Sequence, residues 1–166
     1  MKAIVVYESL WGNTAAVARA IAEGLGPDAV ALSTADASGA VVADADLIVA
    51  GAPVHAFRLP TEESRGSIGA REKAGAPSPR DLSHPSLRSW LEGVPHGGGR
   101  SAAFETRFRF SPGGATSAIA RALEGRGYPL VATRARFFIA GSYGPLREGE
   151  IERARAWGEE LARKMG

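Results

Sequence analysis

Along the chain, short continuous apolar blocks alternate with stretches whose apolar residues recur at helical spacing. Lys2–Tyr7 is continuous and rich in β-branched residues, the pattern of a strand buried on both faces. Thr14–Leu25 sets Val17, Ile21 and Leu25 on one stripe, with Asn13 as the expected N-cap and Gly26-Pro27 as the stop. Ala29–Ser33 reads as a weaker strand, Val41–Asp44 as the end of a short helix, and Asp46–Gly51 as a second buried strand. Leu87, Trp90, Leu91 and Val94 have helical spacing, and Arg100–Thr106 is a further strand. Ser111-Pro112 resembles an N-cap followed by a first helical residue, opening a helix that carries Ile119, Ala122 and Leu123 and ends near Gly125. Leu130–Ala140 reads as a long strand with room for a break. Glu148–Met165 is the clearest helix, with Ile151, Ala154, Trp157, Leu161 and Met165 on one side.

Strand and helix thus alternate about five times. Such alternation implies parallel strands, right-handed crossovers and helices on both faces, an α/β three-layer doubly wound sheet of five strands. At 166 residues, one domain spanning 1–166 is expected. Thr61–Arg80 interrupts the order. It is polar, aperiodic and interspersed with glycine and proline, and reads as a long mobile loop inserted in the domain, either functional or tolerated.

Composition narrows the chemistry. There is no cysteine, which excludes disulfides, thiolate metal sites and cysteine nucleophiles. No apolar stretch approaches a membrane span, and the five-residue apolar run at the start is too short for a signal-peptide core, so a cytoplasmic protein is expected. The net charge of +2 conceals an asymmetry: residues 1–52 are acidic, with six acids against two bases, while the rest is arginine-rich. No run of five like charges occurs, so nucleic acid is not an expected partner. His84 and His96 have no companions at metal-ligand spacing, and no metal site is expected. His96-Gly97-Gly98-Gly99 looks like an oxyanion motif, but no G-x-S-x-G elbow accompanies it, and it reads as a turn.

The segment that carries chemistry is Tyr7-Glu8-Ser9-Leu10-Trp11-Gly12-Asn13-Thr14, between the first strand and the first helix. A loop there points backbone N–H groups outward at the positive end of a helix dipole, which suits an anion. Ser9, Asn13 and Thr14 add short polar side chains, and Gly12 permits close approach of the backbone. The loop holds no lysine or arginine and is neither the Walker nor the G-x-G-x-x-G motif. Val5 through Thr14, followed by Ala18 and Ile21, resembles the phosphate-loop signature of flavodoxins and flavodoxin-like FMN proteins. The resemblance implies strand order 2-1-3-4-5, with Ser9, Leu10, Trp11, Gly12, Asn13 and Thr14 holding the phosphate of FMN.

It also implies that the loops after the third and fourth strands clamp the flavin ring. The first contributes Pro53, Val54, His55, Ala56 and Phe57; the second contributes Thr106, Arg107, Phe108 and Gly113. Phe57 and Phe108 are the candidates for stacking, although Phe104, Phe108 and Phe110 share the even spacing of core residues. His55 reads either as a ring contact or as a half-exposed loop histidine. Arg58, Arg107 and Arg109 are expected beside the ring, where they stabilise its anionic reduced form. Flavodoxins often place a tryptophan and a tyrosine around the ring, and neither occurs in these two loops; Trp11 instead either covers the phosphate or packs on the first helix. No residue is assigned as a catalytic acid, base or nucleophile. The expected function is electron transfer to a redox partner protein or a small acceptor. The alternatives are an NAD(P)H-dependent FMN quinone or flavin reductase, and a binding module of the same fold without FMN.

Overall fold

The computed structural model describes residues 1–70 and 80–166, with side chains for 1–67 and 80–166. Five strands, β1 (Ala3–Tyr7), β2 (Ala29–Ser33), β3 (Leu47–Pro53), β4 (Arg100–Arg107) and β5 (Ala135–Phe138), pair in parallel in the order β2-β1-β3-β4-β5. The helices are α1 (Asn13–Leu25), α2 (Gly39–Ala43), α3 (Glu62–Ala70), α4 (Leu87–Glu92), α5 (Thr116–Glu124) and α6 (Glu150–Met165). This is the doubly wound flavodoxin fold that the alternating pattern and the loop signature together imply.

The sheet separates two apolar layers, because successive side chains of a strand point to opposite faces. Ile4, Val6, Ile48 and Ala50 pack with Leu87, Leu91, Ile119 and Leu123. Ala3, Val5, Leu47 and Val49 pack with Val17, Ile21, Phe104, Phe137 and Leu161. On the second face α1 and α6 approach closely enough that a Cβ at Gly158 would overlap the Ile21 carbonyl. At the open edge, α6 serves the backbone of β5. Glu150 accepts the Phe138 N–H at 2.8 Å, and Arg153 donates to the Arg136 carbonyl. Unpaired edge groups are thereby satisfied by side chains rather than left as a template for another strand.

Three local expectations change, and the break allowed for in Leu130–Ala140 is located. Asn13 is the first residue of α1 rather than its cap, and Gly12 takes the N-cap position with φ 93°. Ser111-Pro112 does not open α5, which begins four residues further on, with Ala115 at the cap and Thr116 first in the helix. Leu130–Ala140 is broken: Leu130 bridges Ser101, and the ladder resumes only where Ala135 meets Phe104, two residues out of the first register. Within Thr61–Arg80, residues 62–70 form α3, and the remainder of that expected loop, 71–79, lies outside the described residues.

Candidate functional site

In a parallel sheet the strand order reverses where successive crossovers leave in opposite directions, here between β1 and β3. A crevice opens there beyond the carboxyl ends of the strands. A cleft of about 380 Å³ occupies that position. Ser9, Leu10, Trp11, Asn13 and Thr14 line it from the loop after β1 and the start of α1, Pro53, Val54, His55 and Ala56 from the end of β3 and its loop, and Thr106, Arg107 and Phe108 from the end of β4 and its loop. Three proposed residues stand outside its lining: Gly12, in the phosphate loop itself; Phe57, whose ring is exposed; and Gly113, at the adjoining loop.

The loop after β1 is held from below. Ser9 donates its N–H to Nε2 of His84 at 3.2 Å, and its hydroxyl accepts the Gly12 N–H at 3.1 Å. Asp81 donates its N–H to the Leu10 carbonyl at 2.9 Å. Thr14 Oγ1 and Thr106 Oγ1 are 2.7 Å apart, tying the first turn of α1 to the end of β4. The start of α1, with Gly12 exposed, Asn13 partly buried and Thr14 buried, has no capping side-chain bond among the described residues. Its first N–H groups have no acceptor within the helix, and the dipole adds positive potential. No atom lies within 4 Å of the point a Cβ on Gly12 would occupy. An uncapped helix start facing open space is a fit for a phosphate.

Beneath this loop lies a buried ion pair. Arg65 Nε is 3.0 Å from Glu8 Oε1, and Arg65 also donates to the His84 carbonyl at 2.6 Å. Glu8 accepts the Leu87 N–H at 2.8 Å. Burial nevertheless pushes the Glu8 carboxyl above its usual range, against the opposing pull of that N–H and of Arg65. Arg65 belongs to α3, so the segment read as an insertion is anchored under the phosphate loop.

Glu105 organises the other side. It is fully buried on β4 and accepts the Ala115 and Thr116 N–H groups at 2.6 and 3.0 Å, capping α5 from a neighbouring strand. Arg107 Nη1 is 2.8 Å from Glu105 and 2.7 Å from the Gly113 carbonyl, and Nε donates to the Phe108 carbonyl at 3.2 Å. Arg136 adds a contact to Glu105 at 3.4 Å. Arg107 therefore lines the cleft with its charge matched by Glu105 and with Nε and Nη1 held by Glu105 and by the loop that follows β4. That pairing offsets the charge expected to stabilise an anionic ring. Arg58 and Arg109 are exposed, and Arg109 lies 5.6 Å from the centroid of the Phe110 ring.

Ile139, Ser142 and Tyr143, from the loop after β5, complete the cleft with Ser64 and Ser67 of α3. None of these five was anticipated. Asn13 donates its side-chain amide to the Tyr143 carbonyl at 3.0 Å. Trp11 meets the Tyr143 ring edge-on with centroids 4.8 Å apart, a contact not expected from the sequence. A tryptophan and a tyrosine thus do reach the cleft, from different loops. Phe104 is the core member of the evenly spaced phenylalanines, while Phe108 lines the cleft and Phe110 is exposed. His55 is half-buried. Burial, with the Arg65 charge adding, pushes its imidazole down to about 4, so it is neutral near pH 7. Its Nδ1 and Trp11 Nε1 are buried without hydrogen-bond partners among the described residues.

No family model and no curated protein matches this sequence. Among solved structures, it superposes on a flavodoxin from the domain Archaea with TM-score 0.68, 22% identity and coverage of 99% of each chain. Oxidised Flavodoxin 1 from Bacillus cereus gives 0.66 at 15% identity over 98% of each chain. The rubredoxin oxygen:oxidoreductase of the anaerobe Desulfovibrio gigas gives 0.59 at 17% identity, and there 98% of this chain spans only 35% of the larger protein. These likenesses carry the fold: a flavodoxin-like α/β sheet whose switch-point cleft is built from the loops just described.

Proposed function

We propose that this chain binds FMN in the switch-point cleft and transfers electrons to a redox partner protein or a small acceptor in the cytoplasm. The observation that carries the reading is the uncapped start of α1, whose Asn13 and Thr14 line the same cleft as Trp11, Tyr143, Phe108 and His55. Bound flavin would supply the one- and two-electron chemistry. The residues hold it. The loop 9–14, apart from the engaged N–H groups of Ser9 and Gly12, would offer backbone N–H groups and the Thr14 hydroxyl to the phosphate. Trp11, Tyr143 and Phe108 supply flat apolar surface that excludes water from a ring. The unpartnered nitrogens of Trp11 and His55 supply polar contacts, and a neutral His55 is able to hold or accept a proton at Nδ1.

A second reading, an NAD(P)H-dependent reductase, draws on one feature. A recess of about 260 Å³, lined by His55, Arg58, Ser64 and Ser67 among others, adjoins the cleft. A titration of purified protein with FMN tests the proposal. Saturable quenching of flavin fluorescence supports it, and no quenching leaves the binding-module reading. Rapid NAD(P)H oxidation by the FMN-loaded protein alone would favour the reductase.

A further inference from the structure

The loops after β3 and β4 meet at the mouth of the cleft. Gly114 donates its N–H to the Phe57 carbonyl at 2.9 Å, and Arg58 bridges Gly114. Gly113 passes so close that a Cβ there would overlap the same carbonyl. The two loops are therefore one surface.

That surface is apolar where solvent reaches it. Phe57 is 62% exposed, Phe108 42% and Phe110 87%, and these are the exposed aromatic side chains of the described residues. Ala56 and Phe57 hold φ of 45° and 68°, a left-handed conformation that L residues rarely adopt. Such strain is maintained by its surroundings and concentrates at functional sites. The surface is also cationic. Residues 53–60 and 107–115 contain three arginines and no aspartate or glutamate. Arg107 is matched by Glu105, but Arg58 and Arg109 make no ion pair among the described residues. Glu63, on α3, shares the side recess with Arg58.

We propose that this rim of exposed phenylalanines and arginines docks an acidic partner protein, one whose carboxylates surround a small apolar contact. Aromatic residues and arginine dominate the binding energy of interfaces, and opposite charge steers encounter and fixes orientation. A symmetric contact with a second copy would set Arg58 and Arg109 against like charge, so self-association is the weaker use of the same face. The arginines beside β5, Arg134, Arg136, Arg153 and Arg163, lack exposed aromatic companions, and Arg153 is paired with Glu150. The inference rests on the FMN reading only in that the rim would be the route of the electron.

Two peptides test it, identical in leucine and tryptophan but one carrying glutamates and the other lysines, each titrated into 15N-labelled protein. The expected result is that the acidic peptide shifts the amides of residues 56–58 and 108–114, that the effect shrinks with salt, and that the double variant R58E/R109E weakens it about tenfold or more. Equal shifts from the basic peptide, a map centred on Arg134–Arg136 and α6, or an unchanged double variant would overturn the docking surface. Sedimentation provides the remaining outcome: self-association abolished by Phe110→Ser assigns the rim to a second copy instead. FMN titration of the same sample reports separately on the cofactor, so its failure leaves the peptide map decisive for the rim.

Discussion

Arg65 reaches from α3 to place its guanidinium 3.0 Å from the buried carboxylate of Glu8, the residue that precedes the phosphate loop. Neither side chain has appreciable exposure, and Glu8 has Arg65 as its counter-charge while Arg65 also reaches the exposed Glu62 at 3.2 Å. Removing one partner of such a pair typically costs about 3–5 kcal/mol. Arg65→Met is expected to lower unfolding stability by that order and to weaken FMN binding, because Ser9 sits on the same support. Adding Glu8→Gln should recover much of the loss, since a neutral amide needs no counter-charge. Denaturant midpoints of the two single variants and the double variant check this; additive losses would contradict coupling.

His55 and His84 make stability fall on acidification. His55 has a folded value near 4 against the usual 6.5, lowered by burial and then by Arg65. His84 is lowered by burial and Arg65 against the opposing pull of Asp81, and its Nε2 must stay unprotonated to accept the Ser9 N–H. Between about pH 6.5 and 4 the unfolded chain binds the His55 proton and the folded chain does not, so stability is full above that window and is lost as pH falls through it. Glu8, with its carboxyl raised, acts in the opposite sense. His55→Gln and His84→Gln should each flatten the slope of stability against pH in the acidic range, read by urea unfolding at a series of pH values. Unchanged slopes would mean the imidazoles are not held neutral.

Gly12 caps α1 with φ 93° and faces empty space. An L side chain there costs about 1–2 kcal/mol through backbone strain alone. Gly12→Ala and Gly12→Val should therefore lose similar stability, yet Val should weaken FMN binding more, as its branches project where the phosphate would sit. Thermal unfolding beside FMN affinity separates the two effects. Equal affinities for both variants would move the phosphate elsewhere.

Glu105 joins β4 to the start of α5 and to Arg107. Glu105→Gln keeps the shape and one acceptor but strands the guanidinium of Arg107. A loss of about 3–5 kcal/mol is expected by the same reasoning. Amide exchange should accelerate at residues 108–116, the segment that Glu105 and Arg107 brace together. Protection unchanged there would contradict that bracing role.

Much of the fold was legible because its core is organised by apolar period. Ala29–Ser33 coincides with its predicted span, and β1, β3, β4, α1 and α6 deviate by one or two residues. What escaped is what charge and distance organise. α3 lacks an apolar stripe because Arg65 anchors it through an ion pair. Ser111-Pro112 satisfies a local capping rule, but Glu105 supplies the cap from ten residues upstream. Tyr143 reaches the cleft through a hydrogen bond to Asn13, 130 residues away, and Ser9 rests on His84, 75 residues away. The part of the cleft formed by residues 9–14 was readable because it lies within six consecutive residues. The loop after β5 was not, because only the tertiary fold brings it there.

The most direct test compares FMN with riboflavin, which lacks the phosphate, in parallel fluorescence titrations of the same protein. The expected result is saturable one-to-one quenching by FMN, with riboflavin bound at least about tenfold more weakly. Equal affinity for the two would contradict a phosphate site at the start of α1, and quenching by neither would contradict the flavin cleft altogether.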